Sequence, residues 1–266
     1  METLLPALAF GVLGCIVGSM LNVLIYRLPS VAVAAIRPNA TQSIFYLAWP
    51  LSFCPACSQP IKPWHNVPVL SFLLLQGKSA CCGKAIPWRY LLVELAGGLV
   101  AVVCFMRFGL SAQAFFACVF GWTLLVACAI DLRSYVLPDI LVQPLLWLGL
   151  LVNMAGLYVP LPDAVLGAAG GFLALFALSE GSAIFLRKRM MGAGDSKLLA
   201  ALGAWLGWQE LLGVLLLAAA TAAVAGVAAR LLRRGSSIIA FGPYLGLAGF
   251  AVLVYDFFFD RIWPWA

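Results

Sequence analysis

Two aspartates are the residues in this sequence best placed to do chemistry, because each lies at the edge of a long apolar segment. Asp131 ends the segment that runs into IDLRSYVLPD, and Asp195 opens the segment that begins GAGDSKLLAAL. An ionisable side chain at membrane depth is costly to bury, so each one is a functional candidate. Two carboxyl groups that meet across a bundle can share one proton and activate water, as in an aspartic protease.

The glycines before Asp195 make that position small and permissive. Gly192 and Gly194 allow backbone conformations that other residues resist, and they let a substrate strand approach. The alternative is that Asp195 merely caps the next helix, since aspartate is a favoured cap. Asp131 weakens that alternative, because an acid at the C-terminus of a helix is disfavoured by the helix dipole. The dipoles also predict that Asp195 carries the charge and Asp131 the proton, while Asp139 is predicted to cap the following helix.

The composition excludes a soluble protein. The chain has 266 residues, of which 64% are hydrophobic and 10% charged, and its mean hydropathy is +1.05. Spanning segments must satisfy their own backbone polar groups, so we predict an all-α polytopic membrane protein with about eight transmembrane helices. The predicted spans are residues 4–26, 91–108, 112–131, 139–158, 163–186, 195–208, 210–231 and 239–259.

The basic residues predict the orientation in the membrane. If the first loop is cytosolic, fourteen of the sixteen lysines and arginines face the cytosol, and only Arg107 and Arg261 lie outside. The positive-inside rule then places both termini outside the cytosol. This topology accounts for the net charge of +6, so no nucleic-acid partner is expected. The first segment carries Glu2 and no basic start, so we predict that it is a retained span rather than a signal peptide.

Three regions follow from this topology. Residues 1–26 form the first transmembrane helix, residues 27–90 form a cytosolic domain that contains cysteines, and residues 91–266 form a seven-helix membrane domain. The cytosolic segment is rich in proline and too short to bury a large core, so a metal ion would help to stabilise it.

Four cysteines of the cytosolic segment are candidate zinc ligands: Cys54, Cys57, Cys81 and Cys82. The first two form a CxxC pair, whereas a second CxxC pair would need a cysteine at Ser79. Thiolates grouped in this way in a reducing compartment favour structural zinc over disulfides. Because adjacent residues seldom bind one ion together, the fourth ligand stays open between Cys81 and His65.

Two further groups of residues have a simple structural interpretation. Glycines at four-residue spacing predict close helix packing, and the pairs are Gly14 and Gly18, Gly167 and Gly171, Gly203 and Gly207, and Gly242 and Gly246. Three polar residues near the predicted cytosolic face are candidates for binding substrate, namely Asn22, Glu94 and Glu180. They would equally serve to anchor the ends of their spans.

An ordered set of motifs resembles the type IV prepilin peptidase family, also called prepilin leader peptidase/N-methyltransferase. The motifs are GSMLNVLIYRLP at 18–29, CPAC at 54–57, NVPVLSF at 66–72, IPWRYLLVE at 86–94, IDLRSYVLPD at 130–139, GAGDSK at 192–197 and FGPY at 241–244. The resemblance implies a GxGD-type integral-membrane aspartic protease in which Asp131 and Asp195 are the catalytic pair.

The resemblance also implies the substrate, the cofactors and the location. The family removes the N-terminal leader of type IV prepilins or type II secretion pseudopilins at the cytosolic face of the bacterial inner membrane. Many members then methylate the new N-terminus with S-adenosylmethionine. The cysteine loop is associated with methylation, and Ser79 departs from the two CxxC pairs that are usual in the family.

Two alternatives belong to other functional classes. One is another GxGD-class membrane protease without methyltransferase activity. The other is a proton-coupled transporter that uses Asp131, Asp195 and Glu180 as a relay. A relay would need polar groups along the path to the far face, and the sequence has few of them. The lipid bilayer is an expected partner, and the sequence leaves the oligomeric state open.

Overall fold

The computed structural model describes residues 4–36, 53–54, 56–187, 192–232 and 240–255. Within them the fold is all-α, as predicted, with two isolated β-bridges and no strands. The helices are α1 (Leu4–Ile36), α2 (Leu70–Leu74), α3 (Arg89–Phe108), α4 (Ala112–Ser134), α5 (Asp139–Met154), α6 (Leu161–Leu186), α7 (Ala193–Leu206), α8 (Leu211–Leu231) and α9 (Gly242–Tyr255), with a 3₁₀ turn at Pro63–Asn66.

Each of the eight predicted spans overlaps a helix, and these helices differ in length. Among the described helices, five are long and apolar enough to cross a membrane, and these lie in α1, α3, α4, α6 and α8. Helices α5 and α9 are shorter apolar helices. Helix α7 has 14 residues, which is about 21 Å at 1.5 Å per residue, less than the ~30 Å thickness of a bilayer core. The first helix also runs past the predicted end at residue 26, through Pro29.

The chain divides into two compact units, and the first comprises Met1–Leu110. Its two long helices, α1 and α3, approach closely through glycines. A Cβ atom added at Gly14 would lie 2.5 Å from the carbonyl oxygen of Gly97, and one added at Gly18 would lie 2.7 Å from the Cα of Glu94. The packing role predicted for Gly14 and Gly18 is therefore confirmed.

The second unit, Ser111–Ala266, is built around α7. From Asp195 to Leu206 this helix is buried at almost every position, which is the pattern of a central core helix rather than a surface one. Helix α6 packs against it backbone to backbone, since Gly167 and Gly203 leave no room for a Cβ atom. The glycine pairs of α6 and α7 therefore serve in packing, as predicted.

Two hydrogen-bonded side chains fix α7 against α5. The indole nitrogen of Trp205 donates to the carbonyl oxygen of Leu145 at 2.8 Å. The amide nitrogen of Asn153 donates to the carbonyl oxygen of Ala204 at 2.8 Å. Both side chains are buried, so these bonds hold the end of α7 opposite to Asp195 in a defined place.

Candidate active site and cysteine cluster

Asp131 lies in the last turn of α4. Its side chain is only 5% exposed. The helix was predicted to end at this residue, but it continues to Ser134 and is closed by Tyr135, which has a left-handed φ of 54° and donates its backbone N–H to the carbonyl oxygen of Asp131. The carboxyl group is therefore set one turn inside the helix and not at its last residue.

The carboxylate of Asp131 is bonded to the first residue of another helix. The backbone N–H of Gly242, where α9 begins, donates to Oδ2 of Asp131 at 3.1 Å. Gly242 was predicted only as a packing glycine, although it lies within the FGPY motif at 241–244. The predicted proton on Asp131 follows from the dipole of α4 alone, whereas the start of α9 favours negative charge at the same carboxyl group. The assignment of the proton remains a prediction.

Asp195 lies in the first turn of α7 and is 9% exposed. The N-cap of this helix is Gly192, so the interpretation of Asp195 as the N-cap is wrong. Its carboxylate instead accepts a hydrogen bond from the backbone of Gly192. Each of the two aspartates is thus held by the amide of a glycine at the start of a helix.

The segments that carry the two aspartates meet at Leu137. This side chain lies beside Gly194, the neighbour of Asp195, and beside Gly242, which binds Asp131. A Cβ atom on Gly194 would lie 3.0 Å from Cβ of Leu137, and one on Gly242 would lie 3.3 Å from its Cδ1. Two buried carboxyl groups in one apolar setting cannot both ionise easily, which is the condition for sharing a proton.

An ion pair lies next to this site. Nζ of Lys197 contacts both carboxylate oxygens of Asp139, at 2.8 and 2.7 Å. Asp139 had been predicted as a helix cap, but the N-cap of α5 is Pro138, whose backbone is still extended. Asp139 is the first residue with helical backbone. The pair joins the starts of α5 and α7. It is partly exposed, so we attribute orientation to it rather than much stability.

Two of the predicted substrate-binding residues form bonds within the first unit. The side-chain nitrogen of Asn22 donates to the carbonyl oxygen of Tyr90 at 3.0 Å. Oε2 of Glu94 accepts the backbone N–H of Val69 at 2.8 Å. These contacts agree with the alternative in which polar groups anchor the ends of helices, and substrate binding by either residue stays a prediction.

The bond from Glu94 holds a strained turn. Val69 has φ 61° and ψ −51°, and the N–H of Leu70 donates to the carbonyl oxygen of Pro68 at 2.6 Å. These are the features of a classic γ-turn, a rare conformation and a costly one for a β-branched residue. Glu94 therefore fixes the start of α2 against α3.

Glu180 lies in α6, half-buried between two buried serines, Ser179 and Ser182. It belongs to the same unit as the two aspartates. Nothing in these contacts identifies a substrate, so the role predicted for Glu180 stays a prediction. Gly192 lies beside Asp195, since a Cβ atom added at Gly192 would be 3.8 Å from Oδ2 of Asp195.

The four cysteines predicted to bind zinc come together. The sulfur atoms of Cys54, Cys57, Cys81 and Cys82 lie within 4.8 Å of one another. His65 is not part of this group, so the structure favours Cys81 as the fourth member. The distance from Cys54 to Cys82 is 3.8 Å and that from Cys57 to Cys81 is 3.0 Å.

The cluster is built from two similar turns. Bridges join Phe53 to Pro60 and Lys78 to Ala85. In the first turn the backbone N–H of Cys54 donates to the carbonyl oxygen of Gln59, and in the second Ser79 donates to Lys84. Ser79 therefore occupies in the second turn the position that Cys54 occupies in the first. Cys81 supplies the sulfur that Ser79 lacks.

The chemistry of this donor set suits zinc. A tetrahedral ion with Zn–S bonds of about 2.3 Å needs sulfur atoms ~3.8 Å apart, close to the spacing of Cys54 and Cys82. A hydrogen bond with the Ser79 hydroxyl lowers the pKa of Cys54 to about 6, which favours the thiolate form that binds metal ions. The hydrogen bond with Cys81 raises the pKa of Cys57 to about 12, so a metal ion would displace that proton.

Comparison with known proteins gives two family models. Residues 12–108 match the bacterial peptidase A24 N-terminal domain. Residues 118–227 match the type IV leader peptidase family. The first match includes the cysteine cluster, and the second includes both aspartates. No solved structure matches the chain.

Several curated proteins are similar over almost the full length. A prepilin leader peptidase/N-methyltransferase of Pseudomonas aeruginosa is 42% identical over 255 residues, which is 91% of this chain and 88% of the relative. Proteins of the same name are 41% identical in Dickeya chrysanthemi, over 93% of this chain and 92% of the relative, and 43% identical in Aeromonas salmonicida, over 94% and 89%.

Proposed function

The chain belongs to the type IV leader peptidase family, and we propose that it removes the leader of type IV prepilins or type II secretion pseudopilins with Asp131 and Asp195. The observation that carries this proposal is the pair of buried carboxyl groups on α4 and α7, whose segments meet at Leu137. The names of its relatives support the choice of substrate.

The two aspartates divide the work of peptide hydrolysis. One carboxylate takes a proton from the attacking water, and the protonated partner donates a hydrogen bond to the carbonyl oxygen of the scissile peptide. The glycine amides that bind the two carboxyl groups orient them before substrate arrives. The small profile of Gly192 and Gly194 leaves space for an extended substrate strand beside Asp195.

The substrate is a membrane peptide with two different ends. Its apolar helix enters among the helices of the bundle, and its basic leader stays in the cytosol. The peptide bond between them then lies at the level of the aspartates. A membrane protein can therefore cut this peptide without a separate soluble protease domain.

The second activity is methylation of the new N-terminus. The relatives carry N-methyltransferase in their names, and S-adenosylmethionine is the donor that the family resemblance implies. When bound, this donor supplies an electrophilic methyl group.

Zinc is the structural ion of the cysteine cluster. Its ligands are Cys54, Cys57, Cys81 and Cys82, whose mutual distances support a four-sulfur site. The ion would hold the two turns of residues 53–60 and 78–85 together, in a segment that has little apolar core of its own.

The enzyme lies in the bacterial cytoplasmic membrane with both termini in the periplasm. The positive-inside rule supports this orientation, which requires an even number of crossings, so the short helices α5, α7 and α9 decide the count. We expect alkaline phosphatase fused after Ala266 to be active in the periplasm, and the same reporter fused after Gly77 to be inactive. The reverse pattern would contradict the orientation.

Mass spectrometry tests both activities together. We expect purified protein, incubated with a prepilin and S-adenosylmethionine, to yield a product that has lost its leader and gained one methyl group. Leader loss without methylation would favour a GxGD-class protease with one activity. An intact prepilin would contradict the proposal and favour the transporter alternative.

A further inference from the structure

Gly242, the first residue of α9, contacts the carboxyl group of Asp131 both through a hydrogen bond and through the absence of a Cβ atom. The N–H of Gly242 bonds to Oδ2 of Asp131 at 3.1 Å. A Cβ atom added at Gly242 would lie 2.6 Å from the same oxygen and 3.2 Å from the carboxyl carbon. Any side chain here therefore has to displace the carboxyl group of Asp131.

We propose that Gly242 is a positioning residue for the peptidase reaction, which holds the carboxyl group of Asp131 through its backbone N–H and leaves room for it by lacking a Cβ atom. The inference rests on the proposed function, since Asp131 is taken as one of the two catalytic groups. Gly242 itself does not contact the reacting atoms.

Two neighbouring contacts give the amide a fixed location. The sulfur atom of Cys128, one turn before Asp131 on α4, lies 3.8 Å from the carbonyl oxygen of Gly242. Gly246 brings α9 against the same face of α4, because a Cβ atom there would lie 2.5 Å from the sulfur of Cys128. The glycines at 242 and 246 thus allow α9 to approach α4 closely enough for the amide to reach Asp131.

The sequence offers a matched control in the same helix. A Cβ atom added at Gly249 would also meet a side-chain atom at 2.6 Å, but that atom is Cδ2 of Leu202. At both positions the closest contact is the end of one side chain, which has to move. Only at Gly242 is that side chain an aspartate of the proposed pair.

The first experiment compares the kinetics of Gly242→Ala and Gly249→Ala in the full-length protein on a purified prepilin. We expect Gly242→Ala to lower kcat at least about 100-fold with little change in KM, because a misplacement of ~1 Å costs this much. We expect Gly249→Ala to stay within about threefold of the parent. Equal kcat values for the two variants would overturn the proposal.

The second experiment measures coupling by thermal melting and needs no activity. We expect Gly242→Ala to lower the Tm of the parent protein but not that of an Asp131→Ala variant, in which the obstructing carboxyl group is gone. If Gly242→Ala alone does not fold, the double variant should fold. The same loss in both backgrounds, or a double variant that also fails to fold while Asp131→Ala folds, would refute the contact.

The two proposals fail separately. Cleavage that survives Asp131→Asn would remove the aspartate pair from the reaction, even if melting shows that Gly242 and Asp131 are coupled. Absence of coupling would remove only the role of Gly242.

Discussion

Replacement of either aspartate by asparagine is expected to abolish leader cleavage while leaving the protein folded. Asparagine matches aspartate in size, but it neither takes a proton from water nor shares one with the partner acid. General acid–base groups contribute about 10² to 10⁴ in rate, so Asp131→Asn and Asp195→Asn should each lower kcat at least about 1,000-fold. The measurement is the yield of mature pilin from a purified prepilin over time.

A third aspartate provides the control for that experiment. Asp163 lies in the first turn of α6 and accepts a hydrogen bond from the indole nitrogen of Trp208 at 3.1 Å. Asparagine keeps an oxygen that can accept the same bond, so Asp163→Asn should cleave at close to the parental rate. Cleavage that persists in either Asp131→Asn or Asp195→Asn would contradict the mechanism, and loss in all three variants would point to folding instead.

The combination of both substitutions separates a joint mechanism from two independent roles. When catalytic groups act as one unit, removing one of them already abolishes nearly all of the rate enhancement that they supply together. The double variant should therefore be no slower than the slower single variant. A further loss of the same size would mean that the two carboxyl groups act in separate steps.

The helices and the candidate status of the two acids were predictable because they depend on local patterns. Long apolar runs predict helices, and an acid at the edge of such a run is costly unless it has a function. The glycine pairs of α1 and α6 were predictable for the same reason, since small residues at four-residue spacing permit close contact wherever helices meet.

The sequence predicted the short length of α7, as a span at residues 195–208, but not its burial at almost every position. An apolar run of this kind is equally consistent with a membrane span and with a core helix, and only tertiary packing distinguishes them. Two residues near the C-terminal end of α7 determine where it stops and what it packs against. Gly207 ends the helix with φ 81°, and Trp205 is fully buried beside α5.

The partner of Asp131 was also beyond sequence analysis. Gly242 is 111 residues away in the chain, and its contribution is a backbone amide, which every residue but proline possesses. A pattern of side-chain types cannot indicate which amide faces a carboxylate. The FGPY motif marked the segment, and only the fold identified the atom.

The cysteine cluster shows a case in which counting spacings was misleading. The missing cysteine at Ser79 suggested an incomplete site, yet the second turn places the neighbouring Cys81 beside Cys57, with their sulfur atoms 3.0 Å apart. The hydroxyl oxygen of Ser79 lies 3.1 Å from the sulfur of Cys81 and 3.4 Å from that of Cys54. Position 79 thus still faces the cluster. If Cys81 were replaced, a sulfur atom at position 79 would lie beside the three remaining cysteines.

This geometry makes a rescue experiment decisive. Cys81→Ser should lower zinc affinity at least about 100-fold, because even the partners that only orient a ligand are worth 10- to 100-fold. Adding Ser79→Cys to that variant should restore binding, since it recreates in the second turn the arrangement of Cys54 and Cys57. Zinc content after purification, with Cys15→Ser as the control in α1, is the measurement. Full zinc in Cys81→Ser would exclude Cys81 as a ligand, and failure of the rescue would mean that the two turns are not equivalent.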